Sequence, residues 1–470
     1  MYKSQLIQVL RSCSKKERRD LRKWLQSPIH NQRTDVVVLL DYLTENNHLD
    51  SETLLEKEKV YATLFSTEGY EDTKMRQTMY FLLKHLEDFL IYQEQSKDEV
   101  KAQLKLASIY RHRKLDKSFR QTMSNLQETH ELSEFRNENY LFDDFKIQQE
   151  LYYKIENEKR GINMNLQEVS DSLDVYFIAE KLKIACLMYS HKNVYKKIYT
   201  TPLLQEIIEY VEKEQLYTKS IAIAIYFNAY KMLSEIDSAP FFQALKALIY
   251  EKIIVFPDSE KKSVYLISLN YCISQVNAAN KKFFIEMFDL YKSGLEKNIF
   301  LEDNILSRWT FRNIIVTALQ LKEFDWTATF IEQYKGYIEE GYREHAVSFN
   351  LAKLYFEKGD YKSSMRLLSQ TEYDDILINL NAKTMLLKMF YMLDEFDSLE
   401  SLVDSMRTYL QRKDMISYHK NNYKNIVSLI KKLINLNTNS KTQIEKFTKT
   451  VEETTPNTEK NWFLERIAKL

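Results

Sequence analysis

The sequence is poor in the residues that bend a chain sharply. Its 470 residues include only 6 Gly and 5 Pro, against an average share of roughly 7% and 5%. Tight β-turns draw heavily on those two residues, so a fold made of many short strands and hairpins is excluded. Cysteine is equally scarce. Cys13, Cys186 and Cys272 are odd in number and far apart, so no disulfide framework is implied and a reducing compartment is expected. An excess of charge is also missing: 67 basic residues balance 67 acidic ones, and nothing global attracts nucleic acid or acidic lipid. The most apolar run, Ile221 to Phe227, falls far short of the roughly 18 residues of a membrane span. Residues 1–20 pass from a short amphipathic stretch into Lys15-Lys16-Glu17-Arg18-Arg19, without the apolar core of a secretory signal. A cytoplasmic protein with no membrane partner is expected.

Signatures of chemistry are absent too. The eight histidines, His30, His48, His85, His112, His130, His191, His345 and His419, never fall within four residues of one another, so no helical His pair for zinc exists. A di-iron bundle needs two Glu-x-x-His motifs, and only Glu45-Asn-Asn-His48 qualifies. There is no Gly-x-Gly-x-x-Gly, no Gly-x-x-x-x-Gly-Lys and no Gly-x-Ser-x-Gly. Cys186 lies among apolar residues and reads as a core thiol. No metal, no cofactor and no catalytic residue is assigned, and the expectation is that the chain is not an enzyme.

What the sequence does contain is helical periodicity. Hydrophobic residues make up 44% and charged residues 29%, enough for a large core and against disorder. Leu6, Val9 and Leu10 mark a first helix. Ser14 and Glu17 form a capping box for a second, with Leu21, Trp24 and Leu25 inward, ending at Ser27-Pro28. Val36, Leu39, Leu40 and Leu43 mark a third. Met75, Met79, Leu82, Leu83, Leu86, Phe89 and Leu90 mark a long fourth. Further helices are expected near 98–112, 115–130, 136–158, 166–190, 203–214, 216–235, 258–276, 280–297 and 414–436, with a break at Glu156 to Asn165 around Gly161. Ile221-Ala-Ile-Ala-Ile-Tyr alternates like a strand, but its long helical flanks make it a buried helix. The many Tyr and Phe at helical spacing read as core rather than as stacking platforms.

The clearest organisation lies between His345 and Met406. Leu351, Ala352 and Tyr355 share one helical face, Gly359 stands where a helix needs a left-handed stop, and Tyr361, Ser364 and Leu368 share the face of a second helix. The phrase recurs as Lys322-Glu-Phe324-Asp-Trp326, with Thr327 and Ile331, and as Asp394-Glu-Phe396, with Leu399 and Val403. The anchors Phe324, Tyr361 and Phe396 are about 37 and about 35 residues apart, near the roughly 34-residue tetratricopeptide period. Over this part the chain resembles a tetratricopeptide-repeat protein. The whole layout, with its Ser-Lys-Lys-Glu-Arg start, also resembles bacterial helical-repeat proteins, a likeness that names no activity. The expected fold is all-α: an α-solenoid of antiparallel helical hairpins with an N-terminal helical module. Its parts are the module at 1–95, degenerate repeats at 96–300, tetratricopeptide-like repeats at 301–436 and C-terminal capping helices at 437–470. In that last part Trp462, Phe463 and Ile467 are offered to the stack.

The resemblance implies a groove lined by the first helix of each repeat, receiving a peptide or a partner helix. Carried over position by position, the groove residues are Trp309, Arg312 and Asn313, then Phe349, Asn350, Lys353 and Phe356, then Asn381, Thr384, Lys388 and Tyr391. Arg312, Lys353 and Lys388 would pair with carboxylates, and Asn313, Asn350 and Asn381 would hold a peptide backbone. A protein-binding scaffold is the expectation. The alternative is a nucleic-acid-associated regulator acting through Lys15, Lys16, Arg18, Arg19, Arg22 and Lys23. Against it, this basic run also reads as the solvated face of the helix that carries Leu21, Trp24 and Leu25.

Overall fold

A computed structural model describes residues 1–66, 69–156, 164–195, 197–370, 375–412 and 417–470. It is all-α: 78% helical, with 23 helices and almost no sheet among the described residues. No described helix is long and apolar enough to cross a membrane. The chain divides into two compact units, Met1–Lys183 with Leu203–Ile223, and Ile184–Pro202 with Ala224–Leu470.

The first unit opens with α1 (Gln5–Ser12), α2 (Lys15–Gln26), α3 (Thr34–Thr44), α4 (Lys57–Leu64) and α5 (Asp72–Lys97). Both bonds of the capping box form: Ser14 Oγ accepts from the Glu17 amide at 3.2 Å, and Glu17 Oε2 from the Ser14 amide at 2.7 Å. Leu6, Leu10, Leu21, Leu25, Leu39, Leu43, Leu82 and Leu86 close one core, as their spacing predicts. Tyr61 of α4 joins that core. No local signal marks α4, which is short and begins without a side-chain cap. The helices α6 (Glu99–His112), α7 (Asp116–Glu131) and α8 (Glu138–Ile155) pack around Ala107, Phe119, Met123, Leu126 and Ile147. Next come α9 (Leu166–Tyr195), α10 (Leu204–Lys213) and α11 (Ile221–Ser234), the unit boundaries falling within α9 and α11. The break expected at Gly161 lies outside the described residues. The strand-like run at Ile221 is indeed helical, with Ala222, Ile223, Ala224, Ile225 and Tyr226 all buried.

The second unit continues with α12 (Ala239–Glu251), α13 (Asp258–Asn277) and α14 (Phe283–Glu296). A two-stranded antiparallel hairpin, β1 (Leu301–Glu302) and β2 (Ile305–Leu306), follows, pairing Leu301 with Leu306 and Glu302 with Ile305. Asp303 and Asn304 both have positive φ, as the tightest hairpin turn requires. No strand was expected here, because two-residue strands are too short to alternate. Then come α15 (Arg308–Gln320), α16 (Phe324–Tyr334), α17 (Glu340–Lys358), α18 (Tyr361–Gln370), α19 (Ile376–Met392), α20 (Phe396–Arg412), α21 (Ser417–Ile434), α22 (Lys441–Glu453) and α23 (Lys460–Ile467).

Phe324, Tyr361 and Phe396 are the first residues of α16, α18 and α20. Each follows the same turn. The residue two before the aromatic is left-handed: Lys322 at φ 61°, Gly359 at 83° and Asp394 at 58°. The next amide then bonds back into the preceding helix: Glu323 to Ala318 O at 3.0 Å, Asp360 to Tyr355 O at 2.9 Å, Glu395 to Phe390 O at 2.9 Å. Lys114, between α6 and α7, repeats it, with φ 57° and Leu115 bonded to Tyr110 O at 3.0 Å. Three residues into each second helix, Thr327, Ser364 and Leu399 are fully buried. Ser364 Oγ donates to the Ala352 carbonyl at 2.7 Å, so these two residues meet between α17 and α18.

The left-handed turn makes Gly359 testable. A Cβ there would meet nothing within 4 Å, so strain at positive φ acts alone. Gly359→Ala is expected to lower unfolding stability by roughly 1–2 kcal/mol, read from thermal or urea unfolding. An unchanged midpoint would show that the turn relaxes without cost.

Candidate functional site

The expected groove residues fall on α15, α17 and α19, which lie side by side: α15 packs on α17, α17 on α19, and α19 on α21. Trp309, Arg312, Phe349 and Asn350 line one narrow pocket together with Arg308, Tyr342, His345 and Asp375. It offers about 50 Å³, room for a few waters and far below the roughly 300–1,000 Å³ of a small-molecule site. Its rim is aromatic and cationic: the Arg308 guanidinium lies 3.7 Å from the centre of the Tyr342 ring and 4.9 Å from that of Trp309. Phe349 is buried and belongs to a core with Ala352, Leu368, Met385 and Met389. Asn350 is buried as well. Its Nδ2 donates to the Ala346 carbonyl at 2.8 Å, and its Oδ1 accepts no hydrogen bond among the described residues. Asn313 is exposed on α15.

Beside this pocket lies a group of cations. Lys353, on α17 one turn beyond Asn350, is half-buried and makes no ion pair or side-chain hydrogen bond among the described residues. Burial, with the nearby positive charges of Arg312 and Lys388, pulls its pKa down to about 8, while Glu357 and Glu459 act in the opposite sense. Arg312 likewise has no ion pair among the described residues; its guanidinium stands 6.0 Å from the Phe349 ring centre. The three cations picked from sequence, on three separate helices, therefore share one electrostatic neighbourhood.

The remaining positions are occupied by the chain itself. Lys388 Nζ donates to Glu459 Oε2 at 2.8 Å and sits 4.9 Å from the Phe356 ring centre. Tyr391 meets the Trp462 ring, centroids 5.7 Å apart. Asn381 Oδ1 accepts from Tyr423 Oη at 3.1 Å, and burial pushes the Tyr423 phenol up to about 12. Thr384 Oγ1 bonds back to Leu380 O at 2.8 Å. Asn422 Oδ1 accepts from the Thr458 amide at 2.9 Å, and its Nδ2 donates to Thr458 Oγ1 at 3.1 Å. Asn425 Nδ2 donates to the Pro456 carbonyl at 3.0 Å. Lys388 is thus already paired, and reversing its charge would set it against Glu459. Tyr342 and His345 were missed from sequence, although they stand seven and four residues before Phe349 and so share its helical face.

Three of the six basic residues of the N-terminal helix are bonded internally. Arg18 Nε donates to Leu10 O at 3.0 Å, Arg22 grips Asp41 with two bonds of 2.6 and 2.9 Å, and Lys23 meets Asp20 at 3.1 Å. His48 of the lone Glu-x-x-His motif has its Nδ1 against Tyr42 O at 2.8 Å. Cys186 is buried with its Sγ 3.4 Å from Tyr226 O, and burial raises the pKa of its thiol.

No family model matches the chain, and comparison with curated proteins and with solved structures finds no match.

Proposed function

We propose that this chain is a non-enzymatic, cytoplasmic scaffold of the tetratricopeptide-like kind. The pairs α15/α16, α17/α18 and α19/α20 are hairpins of a solenoid, and α15, α17 and α19 face a groove that receives an acidic peptide or the acidic face of a partner helix. The observation that carries this reading is Lys353. A half-buried ammonium beside Arg312 and Lys388, without a partner of its own among the described residues, is an electrostatic cost that a bound carboxylate offsets. The unfilled acceptor of Asn350 supports it, since an extended peptide brings amide donors. The recurring turn and buried anchors of three successive pairs support the repeat reading. The nucleic-acid alternative has less in its favour, because Arg18, Arg22 and Lys23 are already bonded within the module.

The test is to pan a random peptide library against the full chain, then measure the enriched peptides by fluorescence anisotropy. Enriched sequences should be acidic. Arg312→Glu with Lys353→Glu should weaken them by at least about 30-fold, matching the roughly 2 kcal/mol lower bound for a lost close charge pair. Lys388 is left alone because Glu459 holds it. Enrichment without acidic bias, or equal affinity for the folded double variant, would refute the assignment.

A further inference from the structure

We propose a second docking surface, on α20 and α21, that receives an amphipathic partner helix with acidic flanks. It goes beyond the groove reading and shares none of its residues.

A cavity of about 590 Å³ lies along these two helices, wide enough for several side chains. Val403 and Leu410 of α20 and Val427 of α21, themselves nearly fully buried in the core, lie beneath it. Arg407, Lys424, Lys431 and Lys432 surround it, and no acidic residue lines it among the described residues. In a chain with equal numbers of acids and bases, that is a marked local segregation. All four cations are exposed, and none has an ion pair among the described residues.

The arrangement suits a helix better than other anions. Lys424 and Lys431 are seven residues apart on one face of α21, a separation of about 10 Å along the axis. Acidic residues seven apart on a docked helix present the same spacing, while apolar residues between them pack on the aliphatic stems of the lysines. A nucleic acid would use stacking aromatics and a longer basic track, and the lining has no aromatic among the described residues. Exposed opposite charges at such a rim chiefly accelerate association and make it salt-sensitive.

The probe is a fluorescein-labelled 18-residue helical peptide with Leu along one face and Glu flanking it at seven-residue spacing. Anisotropy titrations use the full chain at about 50 mM and about 500 mM salt, on either side of physiological screening. Saturable binding that weakens with salt is expected. Lys424→Glu with Lys431→Glu should reduce affinity at least about tenfold. Ser428→Trp, which fills the cavity from an exposed position, should do the same without changing charge, so a folding defect in either variant leaves the other decisive. Arg312→Glu with Lys353→Glu should leave this peptide's affinity unchanged, whatever becomes of the groove. The proposal is overturned by absence of saturable binding, by unchanged affinity in the folded α21 variants, or by a duplex oligonucleotide of equal charge displacing the peptide at equal concentration.

Discussion

Ala352→Leu should destabilise the second unit by about 1–3 kcal/mol, the usual cost of forcing extra carbons into a filled core. Ala352 is fully buried, and its carbonyl accepts the Ser364 hydroxyl at 2.7 Å. Phe349, Leu368, Met385 and Met389 fill the space around it. A leucine must therefore separate α17 from α18, breaking that bond and leaving the buried Ser364 hydroxyl unpaired. Lys358→Ala is the control: its ammonium stands 3.5 Å from a fully exposed Asp325 carboxylate, a pair worth no more than about 1 kcal/mol. Thermal unfolding followed by far-ultraviolet circular dichroism separates the two. Equal, negligible shifts would show that the α17/α18 contact is misplaced.

Gly294→Ala should also destabilise the second unit, although alanine is the better helix former. A Cβ at Gly294 in α14 would lie 2.3 Å from Phe300 Cε2 and 2.6 Å from Cζ. Phe300 is buried between Tyr265 and Tyr291, with centroids 5.9 and 5.7 Å away. The ring has no open side to move into, so an overpacking cost of about 1–3 kcal/mol outweighs the roughly 1 kcal/mol gained in helix propensity. Gly341→Ala, in α17 with nothing within 4 Å, should instead stabilise by about 0.5–1 kcal/mol. Opposite signs for two glycine-to-alanine changes in helices is the expected result. Stabilisation by both would mean that Phe300 is loosely held.

The helices and the repeated anchors were legible because they rest on local signals. Phe324, Tyr361 and Phe396 begin their helices, and Thr327, Ser364 and Leu399 lie buried three residues on. Gly359 announced its own left-handed turn. Lys322 and Asp394 take the same conformation, but lysine carries no mark of positive φ and aspartate a far weaker one than glycine, so only one turn in three was visible. The hairpin at Leu301 was invisible for a different reason: Asp303 and Asn304 suit its turn, but two-residue strands are too short to show alternation. At the candidate site, Arg312, Lys353 and Lys388 were picked by carrying the tetratricopeptide resemblance over repeat by repeat, and their charges act on one another in the fold. The resemblance did not reveal that Glu459, 71 residues from Lys388, reaches back to pair with it. A contact that distant depends on how α22 and α23 return to the bundle, which no local pattern encodes. The burial of Phe463 and Ile467 follows their spacing on α23.

The groove assignment rests on one ammonium, and pH reads that group directly. Lys353 titrates near 8 in the folded chain, below its ordinary 10.5. The unfolded chain binds the extra proton between those values, so stability should rise with pH across that window. Binding runs the other way: a carboxylate requires the charged lysine, and peptide acids stay ionised throughout. The decisive measurement is the affinity of an enriched acidic peptide from about pH 7 to about pH 9, for the natural chain and for Lys353→Met. Affinity should fall as pH rises through about 8 in the natural chain and stay flat, at a weaker level, in the variant. A flat profile in the natural chain, or the same fall in both, would contradict the account.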